Sequence, residues 1–263
     1  MSVHVESVGR GRPLVMLHGW GMHSGLWFPL LPRLIERYRL HLVDLPGHGY
    51  SDALATPAPM SLSRVVEAVE LAIAETSAPA PLMILGWSLG GQVALEWARL
   101  RPERVGALVL MSTTPSFVQR LGWPHAMAEA TLRQFGDELR VAYRPTLRRF
   151  VTLQVQGSEH AREALGSLRS HLFARGEPSP QALRDSLELL ASSDLRCGIG
   201  AISQPALIIA GDRDTMTPLA AARWLATALP QASLVVVPGA AHAPFLSHPE
   251  AVVTALDAFA HAQ

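Results

Sequence analysis

The feature that most constrains this chain is Gly86-Trp87-Ser88-Leu89-Gly90, followed by Gly91, set between the apolar run Leu82-Met83-Ile84-Leu85 and a helical stretch over residues 92–99. A buried strand that turns at once into a helix leaves little room for side chains. Glycines flanking a single serine therefore fit a sharp strand-to-helix turn that lifts a hydroxyl out of a sheet. Around this turn, residues 13–118 repeat a short apolar run, a glycine-rich turn and helical periodicity, the pattern of a mostly parallel sheet with crossover helices. Strands are predicted over residues 3–8, 14–17, 40–43, 82–85 and 107–111, and again over 206–210 and 234–237. Helices are predicted over about 218–229 and from Pro249 onward, where proline suits a first helical position.

Between the two α/β stretches, residues 119–196 change character. Strand-like runs give way to helical spacing, arginine density rises, and Pro124, Pro145, Pro178 and Pro180 are expected to break the segment into short helices. The chain thus reads as one α/β domain, with residues 1–118 and 197–263 forming a core of central parallel sheet flanked by helices and 119–196 forming an inserted helical lid.

Composition removes several chemistries. All 22 basic residues among the 263 are arginines, so no Schiff-base lysine and no phosphate-binding P-loop lysine can exist. One cysteine, Cys197, excludes disulfides within the chain and any zinc site built on two thiolates. The 22 acidic residues bring the formal charge to zero, so no global field recruits nucleic acid or an anionic membrane. At 49% hydrophobic and 17% charged residues, a large buried core is expected rather than disorder. No secretory signal core is visible near the N-terminus and no run of about 20 apolar residues occurs. With one unpaired thiol, the expectation is a cytoplasmic protein that neither spans nor binds a membrane.

A serine hydroxyl is a weak nucleophile until a base takes its proton, so an acid and a histidine should follow Ser88. After the strand at 206–210 comes Gly211-Asp212-Arg213-Asp214-Thr215-Met216-Thr217-Pro218, and after the strand at 234–237 comes Gly239-Ala240-Ala241-His242-Ala243-Pro244. Both are loops at strand carboxyl ends, where open α/β sheets place their sites. Asp214, three residues after the glycine, is favoured over Asp212 as the acid; Asp212 is expected to cap the loop or pair with Arg213. His242 competes with a purely structural role, and its place after the last core strand favours a base. An oxyanion would be held by the N–H of Leu89 and by an N–H from the turn Leu17-His18-Gly19-Trp20-Gly21, with Trp20 the expected donor and pocket-lining indole. His18 is expected to be structural.

On these residues the chain resembles the α/β-hydrolase superfamily over essentially its whole length. More narrowly, it resembles the family of carboxylesterases of biotin synthesis that remove the methyl group from pimeloyl-carrier-protein methyl ester. The resemblance rests on His18-Gly19-Trp20-Gly21, Asp44-Leu45-Pro46-Gly47-His48-Gly49, the serine turn with Trp87, Ala240-Ala241-His242-Ala243-Pro244-Phe245, and in the lid Arg149-Phe150 and Leu153-Gln154. It implies a serine esterase with Ser88 as nucleophile, Asp214 as orienting acid and His242 as base, needing no metal or organic cofactor. It also implies that Trp20, Leu89, Phe150, Val151, Thr152, Leu153 and Gln154 meet the substrate. An acidic acyl-carrier protein would dock on lid arginines, here Arg144, Arg148, Arg149, Arg162 and Arg169. From residue 133 to 175 eight arginines face four acids, a local excess of positive charge in a neutral chain. The pattern is imperfect, because Pro145 and Gly166 stand where the family resemblance leads one to expect arginines. A monomer is expected. The alternatives are a short-chain carboxylesterase, a lactonase or a carbon–carbon hydrolase of the same fold, or a ligand receptor retaining the triad. Dehalogenase and epoxide-hydrolase chemistry is disfavoured, since such enzymes place an aspartate where Ser88 stands.

Overall fold

The computed structural model describes residues 2–54 and 59–262. Seven strands form one sheet: β1 (Val5–Gly9), β2 (Arg12–Leu17), β3 (Tyr38–Val43), β4 (Leu82–Trp87), β5 (Val105–Met111), β6 (Ala206–Gly211) and β7 (Ala232–Val237). Their order is β1-β3-β2-β4-β5-β6-β7. Only β1 runs antiparallel, against β3; every other pairing is parallel. The central strands β4 and β6 are buried along their whole length, as expected where helices cover both faces and the sequence shows unbroken apolar runs.

The helices are α1 (Leu31–Leu34), α2 (Leu62–Glu75), α3 (Leu89–Leu100), α4 (Glu129–Val141), α5 (Tyr143–Leu153), α6 (Ala161–His171), α7 (Pro180–Ser192), α8 (Leu219–Ala228), α9 (Pro244–Ser247) and α10 (Pro249–His261). Local chemistry starts several of them. Ser61 accepts the Arg64 N–H at the start of α2, and Ser179 accepts the Ala182 N–H at the start of α7, which has Pro180 in its first turn. The α2 helix went unpredicted, although Leu62, Val65, Val66, Val69 and Ile73 are buried at helical spacing along it.

Helices α4 to α7 lie between β5 and β6 in the chain. Pro145 stands just after the break at Ala142 that separates α4 from α5, in line with the expected division into short helices. It sits in the first turn of α5, where the N–H it lacks would have no helical acceptor. The segment shares the protein's main apolar core: Leu139, Leu147, Val151, Leu168 and Leu183 are in the same buried cluster as the strands. A second contact is ionic. Arg175 ion-pairs with Glu6 of β1 and with buried Asp44, and lies over the Tyr50 ring.

Candidate active site

The β4–α3 turn holds Ser88 at φ 56° and ψ −116°, a backbone state that costs a non-glycine residue about 1–3 kcal/mol. Its surroundings enforce that state. A Cβ on Gly86 would lie 2.3 Å from the Gly90 carbonyl oxygen, and one on Gly90 would lie 2.2 Å from the Leu17 oxygen. The spacing of glycines around the serine is thus a packing requirement of β2, β4 and α3. Ser88 is 8% exposed and lines a cavity, which gives its hydroxyl access to a ligand while excluding bulk water.

Asp214 and His242 are brought together from the loops after β6 and β7. His242 Nδ1 donates to Asp214 Oδ2 over 2.8 Å, both side chains being buried. The carboxylate is filled from its other side as well. Oδ1 accepts the N–H groups of Met216 and Thr217 at 2.8 and 2.9 Å, and Oδ2 accepts the Thr217 hydroxyl at 2.6 Å. Burial alone would raise the Asp214 pKa; the His242 charge and the hydrogen bonds from His242 and Thr217 outweigh it, so the carboxyl lies below its ordinary value. An ionised Asp214 fixes the imidazole with its proton on Nδ1 and leaves Nε2 as the basic nitrogen. Trp87, next to the serine, donates its indole N–H to the His242 carbonyl over 2.8 Å. The tryptophan inside the serine turn therefore ties the histidine loop to it.

Asp212 caps the neighbouring loop, accepting the Gly239 N–H at 2.8 Å. The expected alternative, a pair with Arg213, does not form; that guanidinium reaches Glu159 and the Gly157 carbonyl in the insertion. Thr217 went unpredicted. Its signal is a hydroxyl three residues after an aspartate in a loop, a spacing at which side chain and backbone can share one turn.

The Gly19–Trp20 turn passes directly by Ser88, since a Cβ on Gly19 would lie 3.2 Å from the Ser88 Cβ. Among the described residues, neither the Trp20 nor the Leu89 backbone N–H donates to a protein acceptor. Two buried histidines hold this turn. His18 Nδ1 donates to the Gly19 carbonyl at 2.8 Å and Nε2 accepts the Leu45 N–H at 2.9 Å. His48 Nε2 accepts the Gly21 N–H at 3.2 Å and Nδ1 donates to the Pro46 carbonyl at 3.1 Å. Burial is the main reason their pKa values fall, to about 3 for His18 and about 4 for His48. Both are neutral near pH 7, as an imidazole that accepts an N–H must be. Asp44 completes the frame by accepting the N–H groups of Ser24 and Tyr50 at 2.7 and 3.0 Å.

A largely apolar cavity of about 260 Å³ opens above Ser88, lined among others by Trp20, Phe135, Phe150, Leu153 and Met216 and by the charged pair Glu138 and Arg149. The Trp20 indole donates to the Leu183 carbonyl of α7 over 3.1 Å and meets the Phe150 ring edge-on at 4.8 Å. Of the α5 stretch expected on the substrate, Phe150 and Leu153 share the cavity face. The others do not line it, because successive helical residues turn by about 100°. Val151 is fully buried in the core. The Thr152 hydroxyl bonds the Arg148 carbonyl, and Gln154 is buried against Met216.

The arginines singled out in the insertion divide. Arg149 pairs with Glu138, and Arg144 with Glu177 at 2.7 Å. Arg148, Arg162 and Arg169 are exposed and have no ion-pair partner among the described residues. Among those residues no group of three or more histidine, cysteine, aspartate or glutamate side chains could hold a metal ion. No described helix is long and apolar enough to cross a membrane. A buried serine beneath an apolar cavity, a buried histidine–carboxylate pair tied to its turn, and two N–H groups without protein acceptors form an arrangement that suits acyl transfer from an ester.

Residues 12–249 match the family model described as the alpha/beta hydrolase fold. The chain is 46% identical to a pimeloyl-[acyl-carrier protein] methyl ester esterase of Nitrosomonas europaea over 98% of this chain and 99% of that protein. It is 44% identical to one of Xanthomonas campestris over 98% of each. Among solved structures, an esterase from Exiguobacterium antarcticum superposes with a TM-score of 0.90 at 26% identity, covering 98% of this chain and 94% of that one.

Proposed function

We propose that this chain, which belongs to the alpha/beta hydrolase family and within it to the pimeloyl-[acyl-carrier protein] methyl ester esterases, hydrolyses the methyl ester of a pimeloyl group carried by acyl-carrier protein. It is a carboxylic ester hydrolase. The observation that carries the reading is Ser88 at the floor of an apolar cavity, with the buried Asp214–His242 pair tied to its turn by Trp87.

In this mechanism His242 Nε2 takes the Ser88 proton as the hydroxyl oxygen attacks the ester carbonyl. The N–H groups of Trp20 and Leu89 hold the oxyanion, and Asp214 stabilises the imidazolium. The imidazolium then protonates the departing methoxide, so methanol leaves and an acyl-enzyme remains on Ser88. Water enters, gives its proton to His242 and attacks the acyl carbonyl; collapse releases the carboxylate and restores Ser88.

Residues 119–196 act as the lid over this site, with the acyl chain beneath it and the carrier outside. Arg148, Arg162 and Arg169 suit that carrier best, being unpaired guanidinium groups able to bind phosphate or carboxylate. A monomer working in the cytoplasm on biotin synthesis completes the proposal.

The test is turnover of purified protein on pimeloyl-carrier-protein methyl ester, read as methanol and free acid, with Ser88→Ala as control. Restored biotin-independent growth in a host lacking its own methyl esterase is the cellular counterpart. Failure of the soluble protein in both would reduce the reading to an esterase of another substrate.

A further inference from the structure

Glu138 and Arg149 are among the residues that line the cavity above Ser88, and the same two residues line a second, open groove on the insertion. No other residue is common to the two linings. The groove lies where α4 passes into α5 and is walled by Asp137, Val141, Ala142, Pro145 and Thr146. Val141 is 88% exposed there, one of the most exposed large apolar side chains in the protein. Glu138 and Arg149 form an ion pair, and Gln134 also donates to Glu138 over 3.0 Å. The boundary between catalytic cavity and outer groove is therefore two charged side chains joined to each other.

We infer that the Glu138–Arg149 pair is the chain-length determinant of this site. While the pair is closed, an acyl group on Ser88 must fit the cavity. When it parts, cavity and groove join, and a linear acyl chain runs from Ser88 past residues 138 and 149 onto the face made by Val141, Pro145 and Thr146. The occupant follows from continuity: the groove is apolar and adjoins the catalytic cavity, so what leaves the cavity there is the far end of the bound chain. The side chains are 33% and 55% exposed for Glu138 and Arg149. An ion pair so placed favours its closed arrangement by about two- to fivefold, enough to bias selectivity without sealing the site. This deepens the esterase reading and rests on it in one respect: a carrier that takes up Arg149 would open the same passage.

The experiment is the ratio of kcat/KM for p-nitrophenyl decanoate to that for p-nitrophenyl acetate, measured in the intact protein and three variants. Glu138→Gln and Arg149→Met should each raise the ratio about two- to fivefold. Added salt should raise it in the unmodified protein and not in Glu138→Gln, because it screens the pair. Ala142→Trp, which fills the groove, should lower it. Ratios unchanged in both pair variants would overturn the inference, and so would indifference to Ala142→Trp. The proposed function fails differently: the unmodified protein would leave pimeloyl-carrier-protein methyl ester intact while its p-nitrophenyl ratios still responded to Glu138→Gln.

Discussion

At the carboxyl ends of β4, β6 and β7, the polar groups around Ser88 are buried and bonded from several sides, Asp214 taking four donors and His18 and His48 each bridging two backbone groups. On α4, α5 and α6 the charged groups stand in solvent, paired singly or not at all. The difference separates two tasks. A catalytic constellation must already be in place when the transition state forms, and low dielectric makes its dipoles effective. A surface that meets a changing partner needs long-range attraction with little ordering cost, which exposed arginines supply. Errors in the first region should therefore cost orders of magnitude in rate, whereas errors in the second should cost small, salt-sensitive factors.

The largest break in that contrast, short of removing the Ser88 hydroxyl itself, is Asp214→Asn. It keeps the shape but lets the imidazole take the wrong tautomer, and in triad enzymes such a change lowers kcat by about 10⁴. The comparison with Ser88→Ala, expected to remove turnover by about 10⁶, is made by single-turnover kinetics on a small ester. A loss under tenfold for Asp214→Asn would mean that His242 is oriented by something else.

Next in size is the acid response of the core. His18 and His48 are neutral in the folded protein down to about pH 3 and about pH 4, whereas an unfolded histidine protonates near 6.5. Between about 6.5 and about 4 the unfolded chain binds more protons, so stability falls as pH falls through that window. Urea midpoints at pH 7 and pH 5 should show this drop, and His48→Gln should show a smaller one. Arginine side chains stay charged throughout and contribute nothing to it. An equal drop in the variant would place the acid sensitivity elsewhere.

How much of each region could be read in the sequence follows from the same contrast. All seven strands lie where apolar runs bounded by glycine and polar loops put them; for central strands such as β4 and β6, burial on both faces leaves no other composition available. Ser88, Asp214 and His242 could be singled out because a turn after a strand is a local matter, and the fold brings Asp214 and His242 within hydrogen-bond distance. Thr217 left only the weak signal of a hydroxyl three residues after an aspartate, and Trp87 acts across loops by a hydrogen bond to the His242 carbonyl that spacing does not announce. In the insertion, neither the Arg213–Glu159 pair nor the Arg175–Glu6 contact could be seen, since each joins residues far apart in the chain. The five lid arginines looked alike in sequence, yet their acidic neighbours divide them.

Thr217→Val probes the buried side at smaller scale. It removes one hydroxyl from a carboxylate that keeps three other donors. The loss of one such charge-assisted bond is expected to lower kcat about tenfold with KM little changed. An effect on KM alone would move Thr217 from positioning His242 to shaping the pocket.

The smallest effects belong to the lid arginines, and there the pairing gives an order. Arg144 is held by Glu177, so a docking carrier would have to displace a carboxylate already in place. Arg162 and Arg169 carry no such partner among the described residues, so their attraction for an acidic carrier is undiminished. Replacing either by glutamine should lower kcat/KM for the carrier-bound ester about two- to fivefold through KM, and the deficit should shrink as salt screens the surface. Arg144→Gln should cost less than either, because its removal also frees Glu177 from a pair that contributes little. Activity on p-nitrophenyl acetate is the internal reference, since that ester reaches Ser88 without a carrier. If Arg144→Gln proved the most damaging of the three, the carrier would be gripping a paired arginine, and exposure without a partner would be the wrong guide to the docking face.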